Sequence, residues 1–142
     1  MCASETSERA IAIAPEAHAG QLDKAGAPYI LHPLRLMRNL SIADERIVAV
    51  LHDLVEDCPA WSFERLAAEG FSGHVIAAIG SVTKRLGEDY ESFMLRAAAD
   101  PIGRRVKLAD LRDNADLSHI ASPTARDLER AEKYRRAIAL IE

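Results

Sequence analysis

An all-α fold, a compact multi-helix bundle formed by a single domain over residues 1–142, is predicted by three features of the sequence. The residues are 49% hydrophobic but only 5% aromatic, so the core must be built mainly from Ala, Leu, Ile and Val, a composition that favours packed helices. Apolar residues recur at helical spacing through most of the chain. Asp100-Pro101 and Ser122-Pro123 each set a capping side chain before a Pro at a first helical position. Gly and Pro sit singly between the periodic segments, with no repeat, low-complexity tract or linker, as one domain of this length requires.

The first periodic stretch runs from Glu8 to Lys24, and Gly26 and Pro28 end it. Helices follow over Pro33 to Leu40 and Asp44 to Val55. The Ile- and Val-rich part of the latter, from Arg46, has strand character, but no other segment is available to pair with it. Ser62 is a predicted N-cap, with Trp61 and Leu66 spaced for a hydrophobic staple, and opens a short helix to about Glu69. Gly73 to Thr83 and Asp89 to Ala99 are separated by a loop at Gly87. Asp100-Pro101 opens a helix to Ser118, and Ser122-Pro123 precedes a terminal helix from Arg126 to Glu142. That last helix alternates charges above an apolar stripe of Ile138, Leu140 and Ile141, the pattern of a solvated face over a packed one.

Charge and hydropathy exclude several function classes. With 18 Lys and Arg against 22 Asp and Glu, a net charge of -4 and no basic tail, the chain is unsuited to binding nucleic acid through counterion release. The polar opening Met1 to Ser7, and an Ala10 to Ala14 run too short for a signal core, predict a cytoplasmic protein that engages no membrane. Cys2 and Cys58 lack CxxC spacing and read as reduced thiols, neither of them a favoured nucleophile.

Polar residues interrupt three apolar segments where a core would not tolerate them unpaired. His52 and Asp53 lie within Ile47 to Val55, His32 within Tyr29 to Leu34, and Asp110 within Val106 to Leu111. Burying such groups without partners costs several kcal/mol. Together His and carboxylate suit a divalent transition metal such as Mn, Fe, Co or Zn. Chance supplies about one His-Asp dipeptide in every three chains of this composition, and an isolated pair reads first as a hydrogen bond tying helices together. Here Glu56 and Asp57 follow about one helical turn on. An acidic pair beside a bound cation can position and deprotonate a water.

These residues resemble the HD-domain metal-dependent phosphohydrolases, specifically their RelA/SpoT-type hydrolase branch. The resemblance is carried by Ala17-His18-Ala19-Gly20-Gln21, by Pro28-Tyr29-Ile30-Leu31-His32-Pro33-Leu34 and by Leu51-His52-Asp53-Leu54-Val55-Glu56-Asp57. Val82-Thr83-Lys84, Tyr90-Glu91-Ser92-Phe93, Val106-Lys107-Leu108-Ala109-Asp110 and Asn114 continue it in the family's order, over about residues 10 to 118. In length the chain is similar to the small stand-alone alarmone hydrolases. The resemblance implies one Mn²⁺-type ion held by His32, His52, Asp53 and Asp110, with Glu56 and Asp57 activating the hydrolytic water. It assigns the nucleotide to Lys24, Tyr29, Lys107 and Asn114, and implies removal of the 3′-pyrophosphate from guanosine tetra- or pentaphosphate. A small-molecule nucleotide is then the partner, and a homo-oligomer is compatible with it.

The chain also departs from that branch. Where the branch carries a basic residue that helps hold the base, this chain has Asp23; where it carries Arg and His after the metal Asp, this chain has Leu111 and Asp113; further on it has Leu117. The metal set is complete while the nucleotide set is altered. Other phosphorylated nucleotides, NADPH among them, therefore stand as alternative substrates, and a silent metal- and nucleotide-binding module as the alternative to an enzyme. The presence of Glu56 and Asp57 favours turnover. His18 reads as a structural hydrogen-bonding residue, Trp61 as a core plug, and His74 and His119 as surface or half-buried residues without carboxylate neighbours in the sequence.

Overall fold

Nine α-helices occupy residues 3–142, the part of the chain that the computed structural model describes; Cys2 lies outside it. They are α1 (Ala3–Ala17), α2 (Leu31–Arg38), α3 (Ala43–Leu51), α4 (Leu54–Asp57), α5 (Phe63–Ala68), α6 (Gly73–Ser81), α7 (Tyr90–Ala99), α8 (Pro101–Ala115) and α9 (Ala125–Ile141). A 3₁₀ turn, Leu117–His119, joins the last two. No strand forms among the described residues; a lone bridge pairs Leu22 with Pro28. None of these helices is long and apolar enough to cross a membrane.

Helix α3 is apolar around its circumference from Ile47 to Leu51, and such a helix must be surrounded. All five residues are buried, with α1, α2, α6 and α8 packed around them. Each Val, Leu or Ile so buried stabilises the fold by about 1.5–3 kcal/mol. The predicted N-caps at Ser62 and Asp100 hold, and Asp89, expected inside its helix, caps it instead, each side-chain oxygen accepting from a backbone N–H of the first turn. A second apolar cluster, Phe93, Met94, Leu111, Ala137 and Ile141, joins α7, α8 and α9.

Several boundaries differ from the sequence expectation: the first helix begins at Ala3 instead of Glu8 and α2 runs from Leu31 to Arg38 instead of Pro33 to Leu40, and four larger differences have local reasons. The first helix runs through Pro15 and stops at Ala17 rather than Lys24, because Gly20 takes a left-handed turn at φ 84°. The helix expected over Asp44 to Val55 breaks at His52 and Asp53: His52 Nδ1 takes the Ala49 carbonyl at 2.7 Å, and Asp53 leaves helical geometry at φ -102°, ψ 3°. Helix α8 ends at Ala115 instead of Ser118, since Asp116 is extended and caps the 3₁₀ turn through Ser118. The terminal helix is capped by Thr124 instead of Ser122, because Thr124 and Asp127 form a reciprocal capping box worth two backbone donors. Along α9, Ala137, Ile138 and Ile141 face the core, but Leu140 is exposed.

Helices α6 and α8 approach closely at Gly103. A Cβ there would lie 2.0 Å from Ser81 Oγ and 3.0 Å from the Ala97 carbonyl. Gly103→Ala gains about 1 kcal/mol of helix propensity but forces α6 and α8 apart, a kind of overpacking that costs about 1–3 kcal/mol. The expected net result in a urea melt is a destabilised protein with an unchanged m-value. A variant more stable than wild type would contradict this packing.

Candidate metal centre and pocket

The three interrupted apolar segments converge. His32 lies in the first turn of α2, His52 and Asp53 at the α3–α4 break, and Asp110 in α8. A nitrogen from each imidazole and an oxygen of Asp53 lie within 4.8 Å of one another. Because a carbonyl can only accept, the contact with Ala49 puts the His52 proton on Nδ1 and leaves Nε2 with a lone pair. That Nε2 is buried and makes no hydrogen bond, although Asp53 Oδ2 is 3.1 Å away and Asp110 Oδ1 3.4 Å. An acceptor facing two carboxylates in a buried site is what a cation satisfies.

His32 lies between two carboxylates. Its Nδ1 meets Asp113 Oδ2 at 2.6 Å and its Nε2 meets Asp110 Oδ1 at 2.9 Å. Burial alone would lower its pKa, but the Asp110 and Asp113 carboxylates raise it to about 9. Asp110 is the hub: besides His32 it accepts from Lys107 Nζ at 3.0 Å and Asn114 Nδ2 at 3.1 Å. Burial pushes its carboxyl up, yet Lys107 and His32 outweigh this and hold it well below the usual carboxylate range. Asp53 goes the other way: desolvation, then Asp110 and Asp57, raise it well above that range, and the Tyr29 hydroxyl donates to its Oδ2. Two close carboxylates and two imidazole nitrogens thus have the donor chemistry for a divalent cation.

Glu56 and Asp57 fall in the single turn of α4, the Asp57 N–H donating to the Asp53 carbonyl at 2.9 Å. Both are exposed. Glu56 Oε1 is tied to the loop after α6 by the Lys84 N–H at 3.0 Å. Around Asp57, partial desolvation and the neighbouring Glu56 raise the carboxyl above its ordinary value. This is the direction that suits a group exchanging protons with substrate or water.

Beside the cluster opens a cavity of about 360 Å³ whose walls include Lys24, Tyr29, Arg35, Asn114, Arg130 and Tyr134. Of the residues expected at the nucleotide, Lys24, Tyr29 and Asn114 line it. Lys107 does not; it is buried, with its ammonium on Asp110 and 4.6 Å from the Phe93 ring centroid. Helix α9 supplies Arg130 and Tyr134, so its inner face is pocket wall as well as core, which its charge pattern alone did not reveal. Asp23 is spent on its own loop, its Oδ1 accepting from the Ala25 and Ala27 N–H groups at 2.9 Å. Leu111 packs in the second apolar cluster, while Leu117 borders the cavity.

His18 is buried; its Nδ1 meets Gln21 Oε1 at 2.8 Å, while its Nε2 makes no hydrogen bond. Trp61 is part-buried against the core with the Arg65 guanidinium 3.8 Å above its ring. His74 and His119 do have carboxylate neighbours in space: Asp44 lies 2.6 Å from the first, Asp116 3.6 Å from the second. Asp113 was not anticipated as a partner of His32. Its signal was spacing, one turn beyond Asp110 on the same helix face.

No protein-family model matches the chain. It is 34% identical over 123 residues to a guanosine-3′,5′-bis(diphosphate) 3′-pyrophosphohydrolase of Aquifex aeolicus, an alignment covering 78% of this chain and 17% of that protein. A probable enzyme of the same name from Synechocystis is also 34% identical, over 81% of the chain and 17% of the relative. A probable GTP pyrophosphokinase of Mycobacterium leprae is 31% identical over 94% of the chain and 18% of the relative. The chain thus spans less than a fifth of the length of these relatives. Among solved structures, a metazoan ortholog of SpoT that hydrolyses ppGpp superposes with a TM-score of 0.74 at 23% identity, over 96% of this chain and 83% of that one. The likeness read from the motifs is borne out, and the all-α fold is that of the SpoT ortholog.

Proposed function

We propose that this chain, an HD-domain relative of the RelA/SpoT-type (p)ppGpp hydrolases, is a metal-dependent phosphohydrolase that removes the 3′-pyrophosphate from guanosine tetra- or pentaphosphate. The observation that carries the reading is the buried convergence of His32, His52, Asp53 and Asp110, with an acidic pair one turn away and a cavity alongside. Those four residues would hold a Mn²⁺-type ion, which would supply Lewis acidity and lower the pKa of a nearby water. Glu56 and Asp57, one turn on, would orient a hydrolytic water and take its proton. Tyr29 holds Asp53 in place, Asn114 steadies Asp110 from the cavity wall, and Lys24 offers positive charge to a phosphate. Lys107 contributes as the counter-ion of Asp110. The reading carries a nucleotide as partner and a cytoplasmic setting.

The test is a panel of guanosine tetraphosphate, guanosine pentaphosphate and NADPH with Mn²⁺-loaded protein, read by separate assays for pyrophosphate and orthophosphate. Pyrophosphate released from the guanosine substrates is the expected result. Orthophosphate from NADPH alone would transfer the site to that substrate. No product from any of them, in protein shown to hold metal, would leave a silent binding module.

A further inference from the structure

We infer that Asp113, anchored by Arg35, is a positioning residue that fixes the ring of His32 for metal binding. The inference rests on the proposed metal centre and adds a part to it.

The geometry is a two-helix ladder. On α2, His32 and Arg35 are three residues apart; on α8, Asp110 and Asp113 are three residues apart. At that spacing each pair shares a helix face, and the faces meet. His32 Nε2 lies 2.9 Å from Asp110 Oδ1, and His32 Nδ1 lies 2.6 Å from Asp113 Oδ2. The outer rung is a bidentate fork, Arg35 Nε to Asp113 Oδ1 at 2.8 Å and Arg35 Nη2 to Asp113 Oδ2 at 2.9 Å. The fork fixes the carboxylate plane, which a single hydrogen bond would not. The Asp113 side chain is only 8% exposed, so water does not compete for it.

The consequence is a defined tautomer and orientation. A carboxylate oxygen can only accept, so Asp113 takes the Nδ1–H of His32, and Nε2, which here faces Asp110 Oδ1, is the nitrogen left to give up its proton to a cation at the point that Asp110 and His52 also face. Metal-ligating histidines commonly donate their other ring nitrogen to a carboxylate, and loss of such a partner typically costs 10–100-fold in metal affinity. Arg35 also balances the charge, because Asp113 would otherwise add a third carboxylate close to Asp53 and Asp110. Arg35 and Asp113 are thus a matched pair, each explaining the other.

The experiment measures Mn²⁺ affinity and stoichiometry by calorimetric titration of chelator-treated protein for wild type, Asp113→Ala, Asp113→Asn and Arg35→Met, with a thermal melt of each. Asp113→Ala should weaken Mn²⁺ binding by about 10–100-fold while the stoichiometry stays at that of wild type. Asp113→Asn, which keeps the shape and one acceptor oxygen, should recover part of that loss and carries the test where the Ala variant fails to fold. Arg35→Met should show a smaller loss in the same direction, and saturating Mn²⁺ should restore turnover in all three. Wild-type affinity in folded Asp113 variants would overturn the inference and leave the proposed function standing. Wild-type protein that binds no Mn²⁺ would overturn both.

Discussion

Asp53→Asn is expected to yield a folded protein that no longer retains a divalent metal and has no measurable phosphohydrolase activity. The substitution keeps the volume and leaves an oxygen to accept from the Tyr29 hydroxyl, so the break between α3 and α4 should survive. What it removes is one of the anionic donors facing His52 Nε2. The affinity loss should exceed the 10–100-fold typical of an outer partner. In the absence of metal the variant should melt no lower than wild type, because it relieves the repulsion between Asp53 and the nearby carboxylates of Asp110 and Asp57. Added Mn²⁺ should then raise the melting temperature of wild type alone. His52→Ala gives the same loss of metal but adds a cavity at a residue only 1% exposed, so destabilisation comes with it. Elemental analysis of protein prepared without chelator, paired with melts in both states, is the check. A metal-replete Asp53→Asn protein would remove that residue from the proposed ligand set.

The residues of this cluster were legible because each breaks a rule. His52, Asp53, His32 and Asp110 interrupt segments whose neighbours are apolar, and a polar group in such a place needs a partner that the local sequence does not offer. The break in the helix at His52 was not legible, since Ile47 to Val55 has unbroken periodicity; it depends on a side chain taking the Ala49 carbonyl, a choice settled only when His52 is also drawn toward the cluster. Asp113 and Arg35 were missed for a related reason. Each is an ordinary helix-surface residue by sequence, and only the crossing of α2 with α8 turns two separate i, i+3 pairs into one network. Helix α9 is the third case: its amphipathic pattern predicts one packed face but does not distinguish core from pocket wall, and Arg130 and Tyr134 lie where the two merge. Lys107 reverses the difficulty. The motif suggests a nucleotide contact, while the fold brings its ammonium onto Asp110.

The counterpart of the Asp53 result is a variant that keeps its metal and loses its chemistry. Glu56→Gln and Asp57→Asn should each lower turnover of guanosine tetraphosphate by about 10²–10⁴-fold, the usual contribution of a positioned acid or base. Neither carboxylate belongs to the converging donor set, so metal content and affinity should match wild type. The two substitutions are expected to differ in kind. Glu56→Gln retains a side-chain oxygen able to accept from the Lys84 N–H, so the α4 turn should stay docked against the loop after α6 and only charge is lost. Asp57 carries the raised carboxyl, set by desolvation and by Glu56 beside it. Neutralising Glu56 removes one cause of that elevation, so Glu56→Gln should also move the acidic limb of the turnover profile to lower pH. Steady-state kinetics across pH on metal-quantified samples reads both effects. Wild-type rates in both variants would reduce the pair to a solvated helix end, and metal loss in either would make it part of the cation site instead.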